Sequence, residues 1–121
     1  MTESTNEKLG LPRDTMKKVI IAFDVDGTLI RDGGYRADIA NERIVELLKT
    51  LSSFKNIKIV VWSGGGKEYA ERWVRLLGIE DNVWKSMSKI QANIDGFKPD
   101  IAVDDIQDTA LGNINLIVRE K

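Results

Sequence analysis

Three apolar runs in this chain each end on side chains that carry oxygen. "VIIAFDVDG", Val19 to Gly27, runs into Asp24 and Asp26; "IKIVVWSGGG", Ile57 to Gly66, runs into Ser63; and "IAVDD", Ile101 to Asp105, runs into Asp104 and Asp105. Short continuous runs rich in β-branched residues are the pattern of strands covered on both faces, which occur in parallel sheets. A parallel sheet puts the carboxyl ends of its strands at one edge, and ligands bind there. The three runs therefore predict one edge carrying four carboxylates and a hydroxyl.

Between these runs the spacing is helical. Ile44, Leu47, Leu48 and Leu51 share one face of a helix that Asp38 is placed to cap, after the loop "RDGGYRAD". Tyr69, Trp73, Leu76 and Leu77 share a face of a second helix, which Gly78 suits as a left-handed stop. "NVWK" reads as a short strand, Ser86 to Ile94 as a short helix, and "INLIV", Ile114 to Val118, as a last strand. Strands alternating with helices predict an α/β fold, a three-layer Rossmann-like sandwich around a mainly parallel central sheet. Residues 1–16 are polar, carry Gly10 and Pro12, and read as a mobile tail; residues 17–121 read as one domain.

Composition shortens the chemical menu. The chain has no cysteine and no histidine, so disulfides, thiolate zinc sites, cysteine nucleophiles and histidine-dependent triads are all excluded. Eighteen basic against nineteen acidic residues speak against bulk electrostatic binding of nucleic acid, which is expected only as a substrate. No apolar run reaches the roughly 20 residues of a membrane span, so no membrane partner is expected and a soluble cytoplasmic protein is the default reading.

Four carboxylates at one edge repel each other unless a cation sits among them. Magnesium suits the set, since it takes hard oxygen ligands and commonly one or two carboxylates together with a substrate phosphate. Asp24 and Asp26, two apart in extended backbone, point the same way, so one can attack while the other moves protons. Gly27 lets the chain turn beneath a phosphate, and Ser63 and the Gly64 amide offer neutral donors. The EF-hand reading fails, because its sixth position, counted from Asp24, is Leu29 where glycine is required. The triple glycine is not followed by the Gly-Lys-Ser/Thr of a P-loop and reads as a pocket wall. Trp62, Trp73 and Trp84 read as core or partner contacts, and Arg31, Tyr35 and Arg36 as surface residues.

"FDVDGTL" resembles the first signature of the haloacid dehalogenase superfamily, the strand ending in Ser63 resembles its second, and "IAVDD" its fourth. The resemblance implies an aspartyl-phosphate on Asp24, with Asp26 as general acid and then base. It implies magnesium on Asp24, the Asp26 carbonyl and Asp104, with Asp105 assisting, and Thr28 orienting Asp26 or its neighbours. Ser63 with the Val25 and Gly64 amides would hold the phosphoryl oxygens. Members that cleave carbon–halogen bonds lack an Asp where this chain has Asp26, which favours a phosphatase. The expected lysine is Lys85 by position, with Lys98 and Lys89 as alternatives. There is no room for a cap domain, so the resemblance is to capless members. Those act on small phosphorylated molecules under a neighbouring subunit's lid, or on large phosphorylated substrates such as macromolecular ends. A receiver-like phosphoaspartate module is the rival reading, although its acidic pair follows the first strand and here the pair comes late. A non-catalytic binding subunit is the other.

Overall fold

The computed structural model describes residues 17–31, 39–106 and 111–119. The tail read over 1–16, the Gly33-Gly34 bend, Tyr35, Arg36 and the cap at Asp38 lie outside the described residues. The elements run β1 (Val19–Asp24), α1 (Glu42–Ser52), β2 (Ile57–Ser63), α2 (Lys67–Leu76), a 3-10 turn (Glu80–Asn82), β3 (Lys85–Ser88), α3 (Lys89–Ile94), β4 (Ile101–Asp104) and β5 (Ile114–Ile117). Among the described residues all pairings between the named strands are parallel, in the order β3-β2-β1-β4-β5. The fold is the expected α/β sandwich with a Rossmann-like sheet. No helix among the described residues is long and apolar enough to cross a membrane.

Alternation along the strands divides the core into two faces. Ile21, Phe23, Val25, Ile59, Val61 and Val103 face α1 and α2, which bury Val45, Leu48, Ala70 and Val74 against them. Ala22, Val60, Trp62 and Ala102 face α3 through Ala92. β1 is central and covered on both sides, which is why its run is apolar without alternation. Gly78 takes the left-handed conformation expected of it, with φ +68°.

Helix phases differ from the reading in detail. Leu47 and Leu76 are exposed at 39% and 65%, while Val45 and Ala70 take the buried places. The face that packs is set by where the helix lies on the sheet, not by the largest side chains in it. The third strand also shifts, from "NVWK" to Lys85–Ser88, with α3 starting at Lys89 instead of Ser86. β3 is an edge strand with Met87 as its one apolar residue and has little hydrophobic signal of its own. Its pairing with β2, from Val60 opposite Lys85 to Ser63 opposite Ser88, decides it.

The chain leaves β1 through a tight turn and passes Ile30, which pairs antiparallel with Ala40. Arg31 N–H donates to the Ile39 carbonyl at 2.7 Å and Asn41 N–H to the Leu29 carbonyl at 2.8 Å. These bonds hold Leu29 to Arg31 beside Ile39 to Asn41, next to the first strand's turn.

Candidate phosphoryl and metal site

The strand order reverses at β1, because β2 lies on one side of it and β4 on the other. Such a switch point opens a crevice between neighbouring carboxyl ends. β1 and β4 pair through Phe23 and Val103, one residue before Asp24 and Asp104. Both carboxylates therefore emerge at the crevice, on the α3 face of the sheet. Among the described residues the buried polar ones are Asp24, Asp104, Ser63 and Thr28, all at strand ends or in the turn after β1.

Lys89 joins the two acids. Its Nζ lies 3.0 Å from Asp24 Oδ1 and 2.6 Å from Asp104 Oδ2. The Ile106 amide donates to Asp104 Oδ1 at 3.1 Å. Asp105 completes a cluster with Asp24 and Asp104 in which one carboxylate oxygen from each lies within 4.8 Å of the others. The carboxylate of Asp26 is held elsewhere: the Tyr69 hydroxyl donates to its Oδ1 at 2.8 Å. Tyr69 stands in the first turn of α2, which starts at the same sheet edge.

Burial pushes the Asp24 carboxyl up to about 7; Lys89 counters this, while Asp104 and Asp105 add to it. Burial alone would depress the Lys89 ammonium. The hydrogen bond to Asp104 and the charge and hydrogen bond of Asp24 outweigh it and hold Lys89 above its ordinary value. Burial, and then the hydrogen bond to Asp26, raises the Tyr69 hydroxyl, so it stays a donor.

The turn after β1 is built around Gly27 at φ +78°. Thr28 N–H and Ile30 N–H both donate to the Val25 carbonyl, at 3.2 and 3.0 Å. A Cβ at Gly27 would collide with the Asp105 carboxylate. Glycine is thus needed twice, for the left-handed backbone and for the close approach of an acid of the cluster. Gly27→Ala is expected to lower the melting temperature by roughly 4–8 °C, from a backbone cost of about 1–2 kcal/mol. Thermal melts with magnesium and with chelator check this; a wild-type melt in both would refute the tight packing of Asp105 on Gly27.

Across the edge, Ser63 Oγ accepts from the Gly65 amide at 2.9 Å, which leaves the hydroxyl hydrogen to donate elsewhere. Gly64 is exposed at the strand end, and the Val25 side chain anchors the turn in the core. Thr28 Oγ1 is buried and makes no hydrogen bond among the described residues. The hydroxyl that reaches Asp26 is that of Tyr69, not of Thr28.

The lysine expectation is corrected. Lys85 opens β3, at the far end of that strand from the crevice, with its Nζ 4.9 Å from the Trp84 ring centroid. Lys98 is exposed on the loop before β4. Lys89 reaches the acids because β3 runs to Ser88, which delivers the next residue to the carboxyl edge. Sequence reasoning also missed Tyr69, which it read only as part of an apolar helix face. The usable signal was its place in the first turn after a strand end and a glycine loop.

A family model matches residues 2–110, that of a family described as "Protein of unknown function (DUF705)". No curated protein and no solved structure matches the chain. The resemblance to the haloacid dehalogenase superfamily is overturned by this result, since no model of that superfamily matches. The three signatures amount to a few residues each, and an acid or hydroxyl at a strand end is what any parallel sheet handling a cation and an anion needs. With 2–110 of its 121 residues under that model, the chain belongs to the family described as "Protein of unknown function (DUF705)".

Proposed function

We propose that this domain is a magnesium-dependent phosphomonoester hydrolase that works through an aspartyl-phosphate on Asp24. The observation that supports it is the division of labour at one sheet edge. A buried carboxylate, Asp24, is grouped with Asp104, Asp105 and Lys89, and a second carboxylate, Asp26, is held apart from them by Tyr69.

The donor set suits magnesium. Two buried carboxylates share one ammonium, a third lies within 4.8 Å, and burial with these neighbours raises Asp24. Such a cluster is electrostatically short of positive charge, and hard oxygen donors favour a hard cation. Asp24, Asp104 and Asp105 would hold the ion, which when bound supplies charge neutralisation to the acids and to the phosphoryl group.

The chain's own residues then divide the reaction into two steps. An Asp24 carboxylate oxygen attacks phosphorus and the bond from phosphorus to the departing oxygen breaks, while Asp26 gives its proton to that oxygen. In the second step Asp26 takes a proton from water, the water oxygen attacks phosphorus, and the bond to Asp24 breaks, releasing phosphate. Tyr69 keeps the Asp26 carboxylate in one orientation through both steps. Lys89 and the Ser63 hydroxyl donate to the phosphoryl oxygens, where charge accumulates.

The test is hydrolysis of an aryl phosphate by the wild type and Asp24→Asn, each with magnesium and with chelator. Magnesium-dependent release of the phenol by the wild type alone is the expected result. Labelling of Asp24 by a small phosphodonor without turnover would replace the hydrolase with a phosphoaspartate signalling module.

A further inference from the structure

β3 is the last strand on its side of the sheet. Alternate residues between Lys85 and Ser88 therefore turn their N–H and C=O groups away from β2, with no further strand to pair them among the described residues. A groove of about 520 Å³ runs along this edge, a size typical of ligand sites. All of β3 lines it. Lys67 and Glu71 of α2 wall it on one face of the sheet, and Gln91 and Asp95 of α3 on the other. Ser86, Met87 and Ser88 are half-buried between these walls although their edge is open.

Register sorts the side chains of the groove. Lys85 stands opposite Val60 and Met87 opposite Trp62, so both lie on the α3 face, which Lys58 shares two residues before Val60. Met87 and Phe97 make that face apolar. At the amino end Trp84 is 45% exposed, and the ammonium groups of Lys85 and Lys58 lie 4.9 and 5.9 Å from its ring centroid. Lysine on an edge strand commonly blocks pairing. Here Lys85 is drawn back over Trp84, which leaves Ser86 to Ser88 uncharged along the edge.

The charged groups of the walls have partners of their own. Lys67 pairs with Glu71 at 3.8 Å, and Gln91 Nε2 donates to Asp95 Oδ1 at 3.0 Å. Lys58 and Lys85 form no ion pair among the described residues. The groove thus offers an unpaired backbone edge, an apolar stretch at Met87, and two ammonium groups two residues before it. A single extended chain fits between α2 and α3, whereas a second copy of the domain would bring its own two helices against them.

We infer that the groove docks an extended peptide segment of a partner protein, which adds as a strand to the free edge of β3. Main-chain hydrogen bonds to β3 supply the hold, and side chains alternate between the two walls. On the α3 face the peptide places an acidic side chain at Lys58 and Lys85 and, two residues along, an apolar one at Met87 and Phe97. Asp24, Asp104 and Asp105 do not line the groove, so this docking does not depend on the chain being a hydrolase.

The probes are two short peptides, acetylated and amidated, one for each strand direction: Thr-Glu-Val-Leu-Val-Thr and Thr-Val-Leu-Val-Glu-Thr. Each is titrated into the full chain in chelator, and the backbone amide resonances and their hydrogen exchange are followed. The expected result is a saturating shift at Trp84 and Lys85–Ser88 with one of the two, together with slowed exchange of the β3 amides. Binding should weaken about fivefold in Lys85→Ala and more than about tenfold when the peptide's valine and leucine amides are N-methylated. No shift with either peptide, or equal binding of the methylated one, overturns strand addition. Binding undiminished in Lys85→Ala overturns the acidic preference. Shifts with oligothymidylate and not with the peptides assign Trp84 to nucleic acid, and sedimentation as a dimer with the β3 amides already protected assigns the edge to a second copy; either overturns the proposal. Neither magnesium nor hydrolysis enters these readouts.

Discussion

Asp24→Asn is expected to abolish the proposed turnover of a phosphomonoester and at the same time to raise the melting temperature of the magnesium-free protein. The first half follows from the proposed nucleophile, since an amide cannot form the aspartyl-phosphate. The second follows from linkage. The Asp24 carboxyl sits near 3.8 when exposed and is raised to about 7 by burial, with Asp104 and Asp105 adding to it against Lys89. Between those values the folded chain holds a proton that the unfolded chain has released. Stability from this group is therefore full below the unfolded value and is lost as pH climbs from about 4 to about 7. At ~1.4 kcal/mol per pH unit the span sets a ceiling of about 4 kcal/mol, shared with the coupled groups around it. Asparagine is nearly isosteric and carries no charge, and Lys89 keeps its 2.6 Å contact to Asp104. Melts of both proteins in chelator from pH 5 to pH 8 read the effect: the wild type should lose stability across that range and the variant should lose less. Magnesium should close the gap. Wild-type turnover in Asp24→Asn removes the nucleophile assignment, and a lower melting temperature at every pH removes the electrostatic account of the cluster.

Lys89→Ala against Lys85→Ala gives the second large contrast. Removing Lys89 takes the shared ammonium from two buried acids, a loss that costs about 3–5 kcal/mol when one side of a buried pair is deleted. In chelator the Lys89→Ala protein should be markedly less stable near pH 8 and recover toward pH 5, where Asp24 takes up a proton in place of the lysine charge. Turnover should fall by about 10²–10³, the scale of one lost donor to a developing oxyanion. Lys85 places its ammonium over the Trp84 ring and makes no ion pair with the acids among the described residues, so Lys85→Ala should stay close to wild type in both measurements. A larger loss in Lys85→Ala would move the phosphate-binding role back to the strand's amino end.

The two lysines show what was and was not legible. Both lie in a stretch without apolar periodicity, so nothing local fixes where strand gives way to helix. A shift of a few residues in that boundary carries a side chain from one edge of the sheet to the other. β1 and β2 were readable because burial on both faces writes a continuous β-branched run into the chain. β3 was not, because an edge strand owes its pairing to β2. The same limit explains Tyr69 and Trp62. Each was read as a packing residue, and each does pack, but the Tyr69 hydroxyl also donates to Asp26, and the Trp62 indole N–H is buried without a partner among the described residues.

The order of strands and helices, the carboxylates at the ends of β1 and β4, the hydroxyl at the end of β2 and the glycine in the first turn were determined by sequence alone. Each is a local consequence of burial pattern, strand direction or backbone freedom. Which lysine bridges the acids, which hydroxyl holds Asp26, and that Asp105 closes over Gly27 were decided only by the tertiary structure. Those contacts join residues from different elements, over 15 residues for Lys89 and Asp104 and 43 for Tyr69 and Asp26. Sheet register and helix placement set such distances, and no local stretch of sequence encodes them.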